Sequence, residues 1–217
     1  WVADVSPDGR LAVPTKVAGG REESIYQPDW WPDGTLCFAS DRTGWWLLYR
    51  WRDAQTEPVL RDAPPSTEFG KPQWLFGTAT WASAGAGRLV VSFTSRGRWR
   101  LGVVDTAAGT LAPLDEELEP SDWLAASADG CVVATGSPAQ ATEVVKVTLA
   151  TGGVTTLRVS SAGVIHHDDI SEPEFIEFPT SGGRTAFALY YPPRNGAFCG
   201  PAGERSEEHT SELQSRG

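Results

Sequence analysis

Four consecutive residues, His166-His167-Asp168-Asp169, carry two imidazoles and two carboxylates, a donor set from which a divalent-metal site could be built. Neighbours on an extended chain point to opposite sides, so one ion rarely takes all four, and a solvated linker is the expected reading. Glu22-Glu23 could accept a buried ammonium, which needs a charged acceptor. Coming just after Gly19-Gly20, the pair reads more simply as a surface turn. Arg96, Arg98 and Arg100 form a small basic cluster; on a strand, Arg98 and Arg100 share a face, where ion pairs to the next structural repeat are expected. The ten tryptophans could stack on sugars or peptides, but at strand spacing they are expected to be core. No residue is assigned a catalytic, cofactor-binding or metal-binding role.

Composition narrows the partners. A net charge of -10 and a pI near 4.8 argue against nucleic acid or an anionic membrane surface. No apolar run approaches the ~18 residues that span a bilayer. Cys37, Cys131 and Cys199 are far apart and odd in number, with no C-x-x-C spacing, so reduced cysteines of a cytoplasmic protein are expected. The chain contains no methionine and opens with Trp1 inside a strand-like run, so its natural start is expected to be missing, which leaves a signal peptide an open alternative. Arg205 to Ser215 translates, codon by codon, a string resembling a common short-read sequencing adapter. Residues 205–217, with Arg205 ambiguous, are therefore set aside as an artefact, His209 with them, and the chain is expected to be a fragment cut at both ends.

Short β-rich runs between glycine- and aspartate-bearing turns must position everything else, since no window sustains a helical period. The segments 32–51, 85–105 and 128–147 resemble one another, placing Gly34, Gly87 and Gly130 53 and 43 residues apart. A further turn and strand follows at 105–114 and 149–159, and the opening residues 1–17 fit the second half of such a unit. Repeats of about 40–50 residues with about four short strands each point to propeller blades. The expected fold is all-β, a partial propeller of about three and a half blades. From about Val164 the repeat is lost, and "EFIEF" and "TAFALYY" read as a hairpin around Ser181-Gly182-Gly183.

Three stretches, 22–51, 68–83 with 97–101, and 170–193, resemble the prolyl oligopeptidase family of serine peptidases, especially its bacterial dipeptidyl- and acylaminoacyl-peptidase-like members. The resemblance spans roughly residues 1 to 204. It implies a propeller over 1–163 that restricts access to an active site. Over 164–204 it implies a linker and the first hairpin of an α/β-hydrolase domain bearing a Ser-His-Asp triad. Dipeptidyl peptidases of this family bind the substrate's amino terminus with propeller carboxylates, but the context of Glu22-Glu23 does not match and nothing is carried over. The nucleophile elbow G-x-S-x-G is absent from the chain, and His166 and His167 precede the place where it would come.

The resemblance thus implies a peptide substrate and no cofactor or metal, with the catalytic triad lying outside these residues. Two alternatives stay open, a non-catalytic propeller scaffold and the propeller of a related esterase. A propeller stopped partway is also expected to leave "WWLLY" (45–49) or "LVVSF" (89–93) uncovered, and so to associate.

Overall fold

Alternating short apolar runs and tight turns produce fifteen strands in the computed structural model, which describes residues 1–115, 118–137, 139–161, 165–198 and 200. Cys199 and the adapter-like tail lie outside the described residues, as does Val164, where the second expected domain begins. The chain divides into two compact units, one reaching from the N-terminus to residue 162 and the other following it.

The first unit holds three antiparallel sheets. The first contains β1 (Ile25–Trp30), β2 (Leu36–Ser40), β3 (Leu47–Arg52) and β4 (Gln55–Pro58), in that order. In the second, β5 (Thr67–Glu68) and β6 (Trp81–Ser83) both pair with β7 (Arg88–Ser95), followed by β8 (Arg98–Asp105) and β9 (Thr110–Asp115). The third runs β10 (Glu119–Ala126), β11 (Gly130–Ser137), β12 (Gln140–Thr148), β13 (Val154–Val159). Each is a blade, and the repeats read from sequence are the two central strands of each. Residues 1–17 form a looser hairpin with bridges Val2–Thr15 and Val5–Leu11.

Period-two alternation makes each central strand serve two cores. On β2, Cys37 and Ala39 join Leu89, Val91, Phe93 and Trp81 between the first and second blades. Its other face sends Leu36 and Phe38 toward Val2, Val17 and Tyr49, against the N-terminal hairpin. On β7, Val90 turns the opposite way from Leu89 and Val91, meeting Leu101, Cys131, Val133, Val145 and Val147 of the core shared with the third blade. Cys37 and Cys131 are free, buried thiols; burial pushes both up, Cys131 to about 11.

The turns use their expected residues. Gly34 and Gly44 sit at φ +82° and +85°, where a side chain would be strained. Asp33 accepts the Thr35 amide at 3.0 Å, whereas the Asp41 carboxylate reaches away from its own turn to the Ser24 amide at 2.7 Å.

Two expectations are corrected. "LVVSF" is buried throughout and Leu48 and Tyr49 of "WWLLY" are buried, because these strands lie between blades. The uncovered apolar surface is instead on the third blade, at Trp123, Val132 and Val144, and on the N-terminal hairpin, at Trp1, Leu11 and Val13. Nor are the tryptophans mainly core. Trp31 and Trp81 are buried, but Trp1, Trp30, Trp45, Trp74 and Trp123 are exposed. Aliphatic residues with Phe38, Phe69 and Phe93 supply most of the packing instead.

The second unit contains β14 (Glu174–Thr180) and β15 (Arg184–Tyr190), paired antiparallel around Ser181-Gly182-Gly183. Ser171 Oγ donates to the Pro192 carbonyl, and the Gly196 amide donates to Asp169 Oδ1 at 2.8 Å. The segments entering and leaving the hairpin are thereby held together.

Candidate functional site

His166-His167-Asp168-Asp169 does not converge on a point. His166 caps a 3-10 turn spanning His167–Asp169, with Asp168 3.4 Å from its Nδ1, while His167 turns toward Glu172 at 3.8 Å. Asp169 is engaged by the Gly196 amide. The side chains are exposed, as in a solvated connection.

Glu22 and Glu23 separate in role. Glu22 is exposed, whereas Glu23 ties the end of the N-terminal hairpin to the β2–β3 turn. Its Oε2 accepts the Gly19 amide at 2.9 Å, and its Oε1 accepts Ser40 Oγ at 2.6 Å and Arg42 Nε at 2.8 Å. Arg42 in turn lies 4.4 Å over the Tyr49 ring. Burial pushes the Glu23 carboxyl up, but the hydrogen bonds from Ser40, Gly19 and Arg42 outweigh it and hold the group below the usual carboxylate range. Both oxygens of this carboxylate are engaged by the chain's own donors, which makes it a tie between two turns rather than an acceptor set out for a substrate ammonium. A group with a lowered folded pKa stabilises above its unfolded value, and that contribution is lost as pH falls through the folded value. Glu23→Gln should therefore lose about 1–2 kcal/mol near pH 7 and much less near pH 3.5. Urea unfolding at both pH values measures this, and an equal loss at both would exclude the ionic knot.

Arg98 pairs with Glu119 of the third blade at 3.6 Å, an inter-blade contact as the strand face implied. Arg96 lies instead in the tight β7–β8 turn at φ +52°, beside Gly97 at +81°.

What sequence reasoning passed over is the interruption between β5 and β6. Residues 69–80 leave the first strand of the second blade and return to it. First strands touch one another directly across blades, Gln27 reaching Trp81 and the Ala79 amide reaching Asp122, while the last strand β13 is exposed along its whole length, the arrangement of blades whose first strands lie toward the axis. The base of the insertion is clamped on both sides. Toward the first blade, Gln73 Nε2 donates to the Ile25 carbonyl at 3.0 Å and Tyr26 Oη lies 3.0 Å from Thr78 Oγ1. Gln27 Nε2 donates to the Trp81 carbonyl at 2.7 Å, while its Oε1 accepts the Thr80 amide at 2.8 Å. Gln27 sits in a bulge of β1 at φ +45°, a conformation that costs energy and aims the side chain at the neighbouring blade.

Toward the third blade, Lys71 Nζ pairs with Asp122 Oδ1 at 2.7 Å and lies 4.1 Å over the Trp99 ring. The Ala79 amide donates to the Asp122 carbonyl at 2.7 Å. Gly70 is covered by the Trp46 indole so closely that a Cβ there would lie 2.6 Å from the ring. Above this base, Trp74, Leu75 and Phe76 are 80%, 52% and 98% exposed. A groove of about 480 Å³ adjoins the returning limb, lined by Gly77, Ala79, Trp123, Ala125, Val132 and Val144. Just before the insertion, Glu68 is half-buried; burial pushes its carboxyl up, partly offset by the Trp46 backbone hydrogen bond. Only the run "WLF" between a lysine and a glycine could have signalled this loop from sequence.

No helix among the described residues is long and apolar enough to cross a membrane. No family model matches the chain, and no curated protein sequence matches it. Among solved structures, the chain is similar to puromycin hydrolase, with a TM-score of 0.80 and 33% identity over 93% of this chain and 30% of that one. It is also similar to a puromycin-hydrolyzing peptidase of Mycobacterium tuberculosis, with a TM-score of 0.79 and 31% identity over 93% of this chain and 31% of that one. Prolyl oligopeptidase B from Galerina marginata shares the fold, with a TM-score of 0.60 and 11% identity over 86% of this chain and 26% of that one. The chain thus spans about 30% of the length of the first two structures it resembles.

Proposed function

We propose that the chain is part of a peptidase of the prolyl oligopeptidase family, and that its propeller controls the access of peptides to a catalytic domain encoded beyond residue 204. That domain would cleave short peptides or N-terminal residues by acyl transfer, through a serine nucleophile, a histidine base and an oxyanion hole. In this reading residues 1–163 are the propeller, and 164–204 carry the linker and the opening hairpin, β14–β15, of the α/β-hydrolase domain. The observation that carries it is the extent of the likeness to puromycin hydrolase. A match over 93% of the chain reaches past the three sheets of the first unit into the hairpin unit. A propeller scaffold with no catalytic partner would run on into another blade there. The buried free thiols Cys37 and Cys131 support a cytoplasmic setting, where thiols stay reduced.

The test is to recover the uninterrupted reading frame, express it, and treat the protein with a fluorophosphonate probe. The expected result is a G-x-S-x-G serine that takes the label, followed in the chain by an aspartate and a histidine, and hydrolysis of short peptides. A frame without that motif, or a protein that neither labels nor cleaves peptides, would overturn the proposal.

A further inference from the structure

The insertion at 69–80 combines two properties that rarely coincide. Its base is fixed to all three blades by side chains of Gln27, Tyr26, Gln73 and Lys71, so the loop needs no further partner to be ordered. Its tip nonetheless presents Trp74, Leu75 and Phe76 to solvent in succession. Single exposed apolar residues are ordinary, but three large ones in a row on an anchored loop mark a recognition surface. Its position decides what reaches it. First strands lie toward the axis, and in a propeller the blades surround a central channel, so an insertion there meets whatever enters the channel. The inner edges of β1, β6 and β10 are partly closed, the Ile25, Trp81 and Asp122 carbonyls accepting from Gln73, Gln27 and Ala79, so the side chains at the loop tip are what an entering chain meets.

Charge selects further. The chain carries -10, Glu68 precedes the loop with no ion pair among the described residues, and the one cation on the loop, Lys71, is neutralised by Asp122. Acidic peptides are repelled from such an edge and neutral or cationic ones are not.

We propose that Trp74, Leu75 and Phe76 form a preset contact that selects extended, neutral or cationic peptides bearing large apolar side chains as they enter the propeller. This rests on the peptidase reading above and adds specificity-determining residues to it. Preorganisation is what makes the contact selective: the ordering cost is met in the free protein, so the apolar contact appears in affinity.

The experiment uses the full-length protein with Trp74→Ala, Phe76→Ala and the double variant. Two peptides are compared, identical except for leucine or serine at one position, with melting temperature followed alongside. The double variant should lower the leucine-to-serine ratio of kcat/KM about tenfold, mainly through KM, with little change in melting temperature. An unchanged ratio in an enzyme that cleaves both peptides would overturn the inference while leaving the peptidase reading intact. An equal loss for both peptides with a lowered melting temperature would also overturn it, showing the tip to be a packing surface for another part of the protein. A wild-type protein without peptidase activity would remove the reading itself. Independently, a photoreactive benzoylphenylalanine in place of Leu75 should cross-link to bound leucine peptide; cross-links confined to the protein would count against the proposal.

Discussion

Trp81→Ala should cost about 3–5 kcal/mol of unfolding free energy, a fifth or more of the roughly 5–15 kcal/mol that a folded domain holds in total. Trp81 is 1% exposed and is the largest of the fully buried side chains. It sits in the core between the first and second blades, among Tyr26, Trp31, Leu89 and Val91. Alanine would leave a cavity bounded by two sheets whose hydrogen-bond ladders prevent collapse, so the loss combines transfer and void terms. Its indole N–H has no hydrogen-bond partner among the described residues, so the contribution is one of volume. Trp81→Phe, which keeps most of that volume, should cost less than half as much. Urea unfolding of the three proteins reads this directly, and a loss for Phe equal to that for Ala would contradict the volume account.

Gln27→Ala should cost at least about 2 kcal/mol, unusual for a polar residue that is not fully buried. The amide is matched at both ends, donating to the Trp81 carbonyl and accepting the Thr80 amide, and both of those residues are buried. Truncation would orphan a backbone donor and a backbone acceptor together, and unpaired buried groups cost more than paired ones gain. Gln27→Gly should lose less than Gln27→Ala, because glycine removes the strain of φ +45° that alanine keeps. Calorimetry on the two variants tests that order; if glycine is the worse substitution, strain at the bulge is not part of the balance.

The blades were legible because their central strands obey local rules. Turn glycines recur, side chains alternate, and β2, β7 and β11 read as apolar runs. The first strands were harder. β1 is bulged at Gln27 and β5 and β6 are separated by the insertion, so neither shows a strand period. The tryptophan reading failed for a related reason. Composition reports that ten indoles exist, but exposure depends on which blade face meets a neighbour, and that is a tertiary fact. Glu23 reads from sequence as part of a plain surface turn after Gly19-Gly20. Its partners Ser40 and Arg42 lie on the next hairpin, seventeen and nineteen residues away. Gln27, fifty-three residues from Thr80, carries no local signal at all.

The broken first strand of the second blade has an evolutionary implication. β5 pairs with Ser95 and Thr94, and β6 with Val91 to Leu89, so each half is registered independently by β7. The segment between them can change length without altering either register. Doubling a flexible loop costs only about 0.6 kcal/mol in closure entropy, far less than shifting a strand. Residues 74–76 can thus vary among descendants of this blade at nearly constant stability, a cassette within an otherwise inflexible frame.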